Sequence, residues 1–108
     1  MRVPVAGLLT RNLMDRSKLE AGLKASGWKT VTISGPQLSD GLDTLLVDLE
    51  HPSAMKVIRS ATAIRCLAYG PHVDRKNLQK AQEAGADLTL PRSKLFGNLE
   101  AIAARLLE

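Results

Sequence analysis

A chain of 108 residues, 44% hydrophobic and 24% charged, can bury one core but not two, so a single domain over 1–108 is expected. The net charge of +4 raises nucleic-acid binding, but Lys and Arg occur as singles or short pairs such as Arg75-Lys76, and aromatics are only 3%. With little to stack on bases, solvated helix faces account for the charge better, and no nucleic-acid partner is expected. No run reaches the roughly 18 apolar residues of a membrane span, Pro4 and Gly7 interrupt the N-terminal apolar run, and a lone Cys66 permits no internal disulfide. These features point to a cytoplasmic protein with neither a secretory leader nor a membrane segment.

The elements follow in alternation. Val3 to Leu9 is a short apolar run suited to a strand covered on both faces, with Pro4 acceptable at its start. Leu13 to Ser26 is helix-friendly, and Gly27 stands where a left-handed cap is needed. Trp28 to Ile33 alternates and is β-branched; Ser34-Gly35-Pro36 and Ser39-Asp40-Gly41 then punctuate a loop with little room for a regular helix. Asp43 to Leu49 is a second apolar run, ending in Asp48. Beyond Pro52, Ser53 is a candidate cap for a short helix to about Ser60, and Ile64 to Tyr69 reads as a strand. Asp74 is a good N-cap, Val73 and Leu78 hold hydrophobic-staple positions, and the helix runs to Ala84 with Gly85 as its stop. Leu88 to Leu90 is a short strand, and Asn98 is a candidate cap for a last helix with Leu99, Ile102, Ala103 and Leu106 on one face. Apolar strands alternating with helices argue for a parallel sheet between two helical layers.

The succession TLLVDLEHP, IRCLAYG, VDRKNLQKAQEAGADLTLPRSKL and NLEAIAARLL resembles the receiver domain of two-component response regulators over most of the chain. AQEAGADLTL and an aspartate before x-x-x-Pro at the end of the third strand are the most specific pieces. The resemblance implies a flavodoxin-like three-layer sandwich with a five-stranded parallel sheet of order 2-1-3-4-5. Two departures from that pattern are read from the residues: the helix between the second and third strands would be missing or reduced, and the one after the third strand, squeezed between Pro52 and Ile64, short. The resemblance also implies that Asp48 stands at the phosphoacceptor position and that Tyr69 and Arg92 hold the switch positions at the ends of the fourth and fifth strands. Receiver domains place a pair of acids after the first strand to hold Mg²⁺; here Thr10 and Arg11 occupy that place. The chain therefore reads as a degenerate pseudo-receiver.

Two accounts of Asp48 follow. If Arg11 and Arg92 converge on the strand ends, Asp48 has a permanent cationic neighbour. Alternatively, it caps the turn into His51-Pro52 by accepting backbone N–H groups. His51, His72, Glu50 and Cys66 lack the spacing of a metal site, and no nucleophile elbow, Walker loop or dinucleotide fingerprint is present, so neither a metal, a cofactor nor enzymatic catalysis is expected. The expected function is a non-catalytic interaction and regulatory module in signalling. Its protein partner, with a second copy as one candidate, would use the last strand and last two helices, with Leu95, Phe96 and Leu107 facing outward. A small-anion or nucleotide-binding module using Arg11 and Arg92 is the alternative, and a phosphorylatable receiver with altered metal ligands the third reading.

Overall fold

The run Thr44-Leu45-Leu46-Val47-Asp48 is buried at every residue and forms β3, the middle strand of the sheet. The computed structural model describes residues 2–38 and 40–106. Around β3 (Thr44–Asp48) lie β1 (Val5–Leu9), β2 (Lys29–Thr32), β4 (Arg65–Gly70) and β5 (Leu88–Pro91), all parallel, in the order β2-β1-β3-β4-β5. The helices are α1 (Leu13–Ala25), α2 (Ala54–Ser60), α3 (Arg75–Ala84), α4 (Arg92–Gly97) and α5 (Leu99–Leu106). The parallel sheet between helical layers is the one expected from the alternation of apolar strands with helices, and its strand order is the flavodoxin-like one that the resemblance implied.

Each face of the sheet has its own core. On one, Leu8, Leu46, Leu67 and Tyr69 meet Leu19 and Leu23 of α1, Leu95 of α4, and Ile102, Ala103 and Leu106 of α5. On the other, Leu9, Leu45, Val47, Cys66 and Ala68 meet Val57 and Ile58 of α2 and Ala81 of α3. No helix joins β2 to β3 among the described residues. Ile33 and Leu42, from that loop, bury themselves in the second core in its place. Gly7 admits them: a Cβ on this β1 residue would lie 2.9 Å from Leu45 Cδ2 and 3.3 Å from Leu42 Cδ1.

Four local expectations need correction. The last strand is followed by two helices, because Arg92–Gly97 coils into the short α4. Asn98 ends α4 rather than opening α5 through its side chain: its N–H bonds the Leu95 carbonyl and its amide donates to the Lys94 carbonyl. Ser53 precedes α2 without a side-chain cap bond. Val73 is 77% exposed, so no staple closes over Leu78, and Asp74 alone caps α3 by accepting the Asn77 N–H and side-chain amide.

Candidate functional site at the carboxyl ends of the strands

Parallel strands aim their carboxyl ends at one edge of the sheet, where β1, β3, β4 and β5 each deliver a polar residue. Leu9 pairs with Val47, which sets the next residue of the first chain segment, Thr10, opposite Asp48, and Asp48 pairs in turn with Tyr69. The Thr10 hydroxyl donates to Asp48 Oδ2 at 2.8 Å and accepts the Asn12 N–H at 3.1 Å. The other carboxylate oxygen accepts the Glu50 N–H at 2.9 Å, and the Asp48 carbonyl accepts the His51 N–H at 3.0 Å. Asp48 is only 3% exposed. Both oxygens have partners, and the side chain closes the turn into His51-Pro52.

The cationic neighbours are elsewhere than expected. Arg92, the first residue of α4, forms a two-pronged pair with Asp15 of α1: Nη2 donates to Oδ1 at 2.6 Å and Nη1 to Oδ2. Arg11 is exposed, and no ion pair or hydrogen bond involves it among the described residues. The convergence of Arg11 and Arg92 on Asp48 is thus corrected, because a carboxylate on α1 captures the Arg92 guanidinium first. Asp15 raises the Arg92 pKa above its ordinary value, chiefly through these hydrogen bonds; burial opposes the shift, and the Asp15 charge and, less, the Asp48 charge add to it.

Asp15 is the residue that sequence reasoning missed. It is 2% exposed and lies in line with Leu19 and Leu23 on the buried stripe of α1, whereas Leu13 and Met14 are 72% and 70% exposed. The spacing i, i+4, i+8 carried the signal. Asn12 opens the helix by accepting the Met14 and Asp15 N–H groups, which fixes the turn that directs Asp15 inward. From the next position Arg16 donates to the Thr10 carbonyl at 2.9 Å.

Tyr69 completes the cluster. Its ring is fully buried and packs edge-on against Phe96, with centroids 5.8 Å apart at 86°. Phe96 carries the Arg92 guanidinium 5.5 Å and the Lys18 ammonium 5.7 Å from its ring centre. The Tyr69 hydroxyl is buried beside the Thr10 hydroxyl without a well-formed hydrogen bond. Burial raises its pKa; Thr10 opposes the shift, Asp48 and Asp15 add to it, and Arg92 opposes it.

The donor set does not suit a hard divalent cation. Asp48 offers two oxygens already engaged, Thr10 and Arg11 supply no carboxylate beside it, and both oxygens of Asp15 are taken by Arg92. Among the described residues no three His, Cys, Asp or Glu side chains are placed to share a metal ion. His51 is used locally, its Nδ1 accepting the Ser53 N–H, and His72 is exposed. Cys66 is buried in mid-strand, where burial first and the Asp87 charge second push its thiol up to about 12.

The outward apolar patch is also displaced. Leu95 is fully buried in the first core, Phe96 is half-buried under its cationic neighbours, and Leu107 lies outside the described residues. Packing of α4 on the sheet draws Leu95 inward. Instead, three of the four exposed large apolar side chains among the described residues, Leu13, Met14 and Val73, stand on segments that leave the carboxyl ends of β1 and β4.

The sequence matches no protein-family model and no curated protein. Solved structures resemble it over nearly its whole length. The fold is that of a response-regulator receiver. A response regulator from Thermotoga maritima superposes with a TM-score of 0.76 at 12% identity, covering 98% of each chain. A receiver domain protein from Clostridium thermocellum gives 0.79 at 15%, covering 96% of this chain and 94% of its own. The phosphorylated cyanobacterial phytochrome response regulator RcpA gives 0.80 at 14%, covering 99% and 96%. At such identities the likeness extends to the receiver architecture, and the chemistry rests on the residues above. No helix among the described residues is long and apolar enough to cross a membrane.

Proposed function

We propose that this chain is a regulatory module of receiver fold that works by binding a protein partner and does not take up a phosphoryl group by the Mg²⁺-dependent route. The observation that supports it is the commitment of both buried carboxylates: Asp48 to the Thr10 hydroxyl and Glu50 N–H, Asp15 to Arg92. Phosphoryl transfer to a carboxylate builds negative charge that a hard cation must offset, and such a cation needs several free oxygen ligands. Here Asp48 is the phosphoacceptor equivalent in position only, Tyr69 and Arg92 stand at the switch positions, and no enzymatic role is assigned.

The anion-binding alternative depends on an available Arg92, whose charge is already balanced by Asp15. The interaction reading draws instead on Leu13, Met14 and Val73, which give a partner apolar contact around the Asp48 end. Incubation with a small phosphodonor and Mg²⁺, followed by intact-mass measurement, tests the reading. The mass should stay unchanged; an acyl phosphate at Asp48 would replace this reading with that of an atypical phosphorylatable receiver.

A further inference from the structure

In the sheet order, β1 and β5 are separated by β3 and β4. The Arg92–Asp15 pair therefore links the segment that follows β5 to the helix that follows β1, while Asp48 ends β3 and Tyr69 stands next to last in β4 between them. We propose that this pair is a strap that closes the carboxyl edge of the sheet over Asp48 and Tyr69 and keeps Asp48 out of reach of small reagents.

Four features support the strap. Asp15 is buried while Arg92 is one-third exposed, so the bridge runs from the interior to the surface. Two-pronged geometry fixes the guanidinium plane as well as its position, which a single contact would not. Phe96 lies against the same guanidinium and against the Tyr69 ring, so the strap, α4 and the buried phenol form one packed unit. On its outer side Arg92 walls a cavity of about 410 Å³ together with Pro71, His72, Ser93 and Phe96. The strap accounts for the burial of Asp48 independently of whether the chain is phosphorylated, so it goes beyond the proposed function.

Carboxylate footprinting tests it. The folded protein is treated with a water-soluble carbodiimide and glycine ethyl ester, and labelling at each acid is located by tandem mass spectrometry. In the wild type, Glu50 and Asp74 should label while Asp48 stays protected. In Arg92→Gln and, independently, Asp15→Asn, Asp48 labelling should rise about tenfold or more while Asp74 keeps its wild-type rate, as local opening predicts. Arg92→Lys, which keeps the charge but loses the fork, should fall between. Protection of Asp48 unchanged in either folded variant would overturn the strap, and so would an increase at Asp48 matched by equal increases at Asp43 and Asp74, which reports global loosening. The same samples treated with phosphodonor and Mg²⁺ keep the two ideas apart. An opened Asp48 that labels but gains no phosphoryl group supports both; a phosphoryl gain confined to the opened variants supports the strap and leaves the proposed function of the wild-type chain standing, whereas a gain in the wild type overturns the proposed function alone.

Discussion

At the amino end of the sheet, Asp43 accepts the Val5 N–H at 2.8 Å and pairs with the exposed Arg2, while Asp87 accepts the Cys66 N–H at 2.8 Å. At the carboxyl end, Asp48 and Asp15 are almost wholly buried and take a hydroxyl, a backbone N–H and a guanidinium from three different segments. Both ends use aspartate to satisfy polar groups that the strands leave open. They differ in solvent. A half-exposed carboxylate that ties down a strand start retains much of its hydration, whereas a buried one gives it up and depends wholly on its partners. Electrostatic sensitivity therefore concentrates at the end where the loops gather, where binding sites in open parallel sheets generally form.

That contrast can be broken experimentally. The largest effect is expected from Arg92→Met, which strands the buried Asp15 carboxylate; the variant should lose about 3 kcal/mol in denaturant unfolding, at the low end of broken buried pairs because Arg92 is partly exposed. A loss below about 1 kcal/mol would place the carboxyl end on the same footing as the amino end. Alkaline titration sharpens the point for the two buried proton donors. Cys66 and Tyr69 have pKa values raised above their ordinary values of 9.0 and 10.0, so each favours the native state while protonated and loses that contribution as pH rises toward the folded pKa. With the Cys66 thiol at about 12, stability should fall by about 2 kcal/mol between pH 9 and 11, discounted for incomplete burial. Cys66→Ala should flatten the fall; an unchanged slope would rule out the thiol. The smallest effect is expected at the amino end, where Asp43→Ala should cost about 1 kcal/mol, since its bond to the Val5 N–H is part-buried and its pair with Arg2 lies at the surface. A loss equal to that of Arg92→Met would erase the distinction between the two ends.

Much of this architecture was legible in the residues. The unbroken apolar run of β3 ending in Asp48, the Asp74 cap of α3 and, as a departure from the receiver pattern, the lack of room for a helix between β2 and β3 can all be read without any tertiary information. The site was harder to read because its decisive contact is a tertiary pair 77 residues apart. On α1 the apolar Leu13 and Met14 suggest a buried face, yet the stripe that meets the sheet runs through Asp15, Leu19 and Leu23. An acid can occupy that stripe only because a guanidinium from the other end of the sequence arrives to balance it. Leu95 misleads for a related reason. Read as the approach to the last helix it looks exposed, but the turn of α4 rolls it into the core.

The loop that replaces the helix between β2 and β3 divides the molecule unevenly. β2 has a neighbour on one side only, and on the second core's face Ile33 and Leu42 supply the cover that a helix would give. Cooperative protection is weakest where cover is thinnest, so fraying begins at this edge and can spend itself there. Asp48 sits on the far side of β1, and a fluctuation that detaches β2 leaves its hydrogen bonds intact. The molecule thus keeps its most yielding margin apart from the surface to which recognition is here proposed to belong.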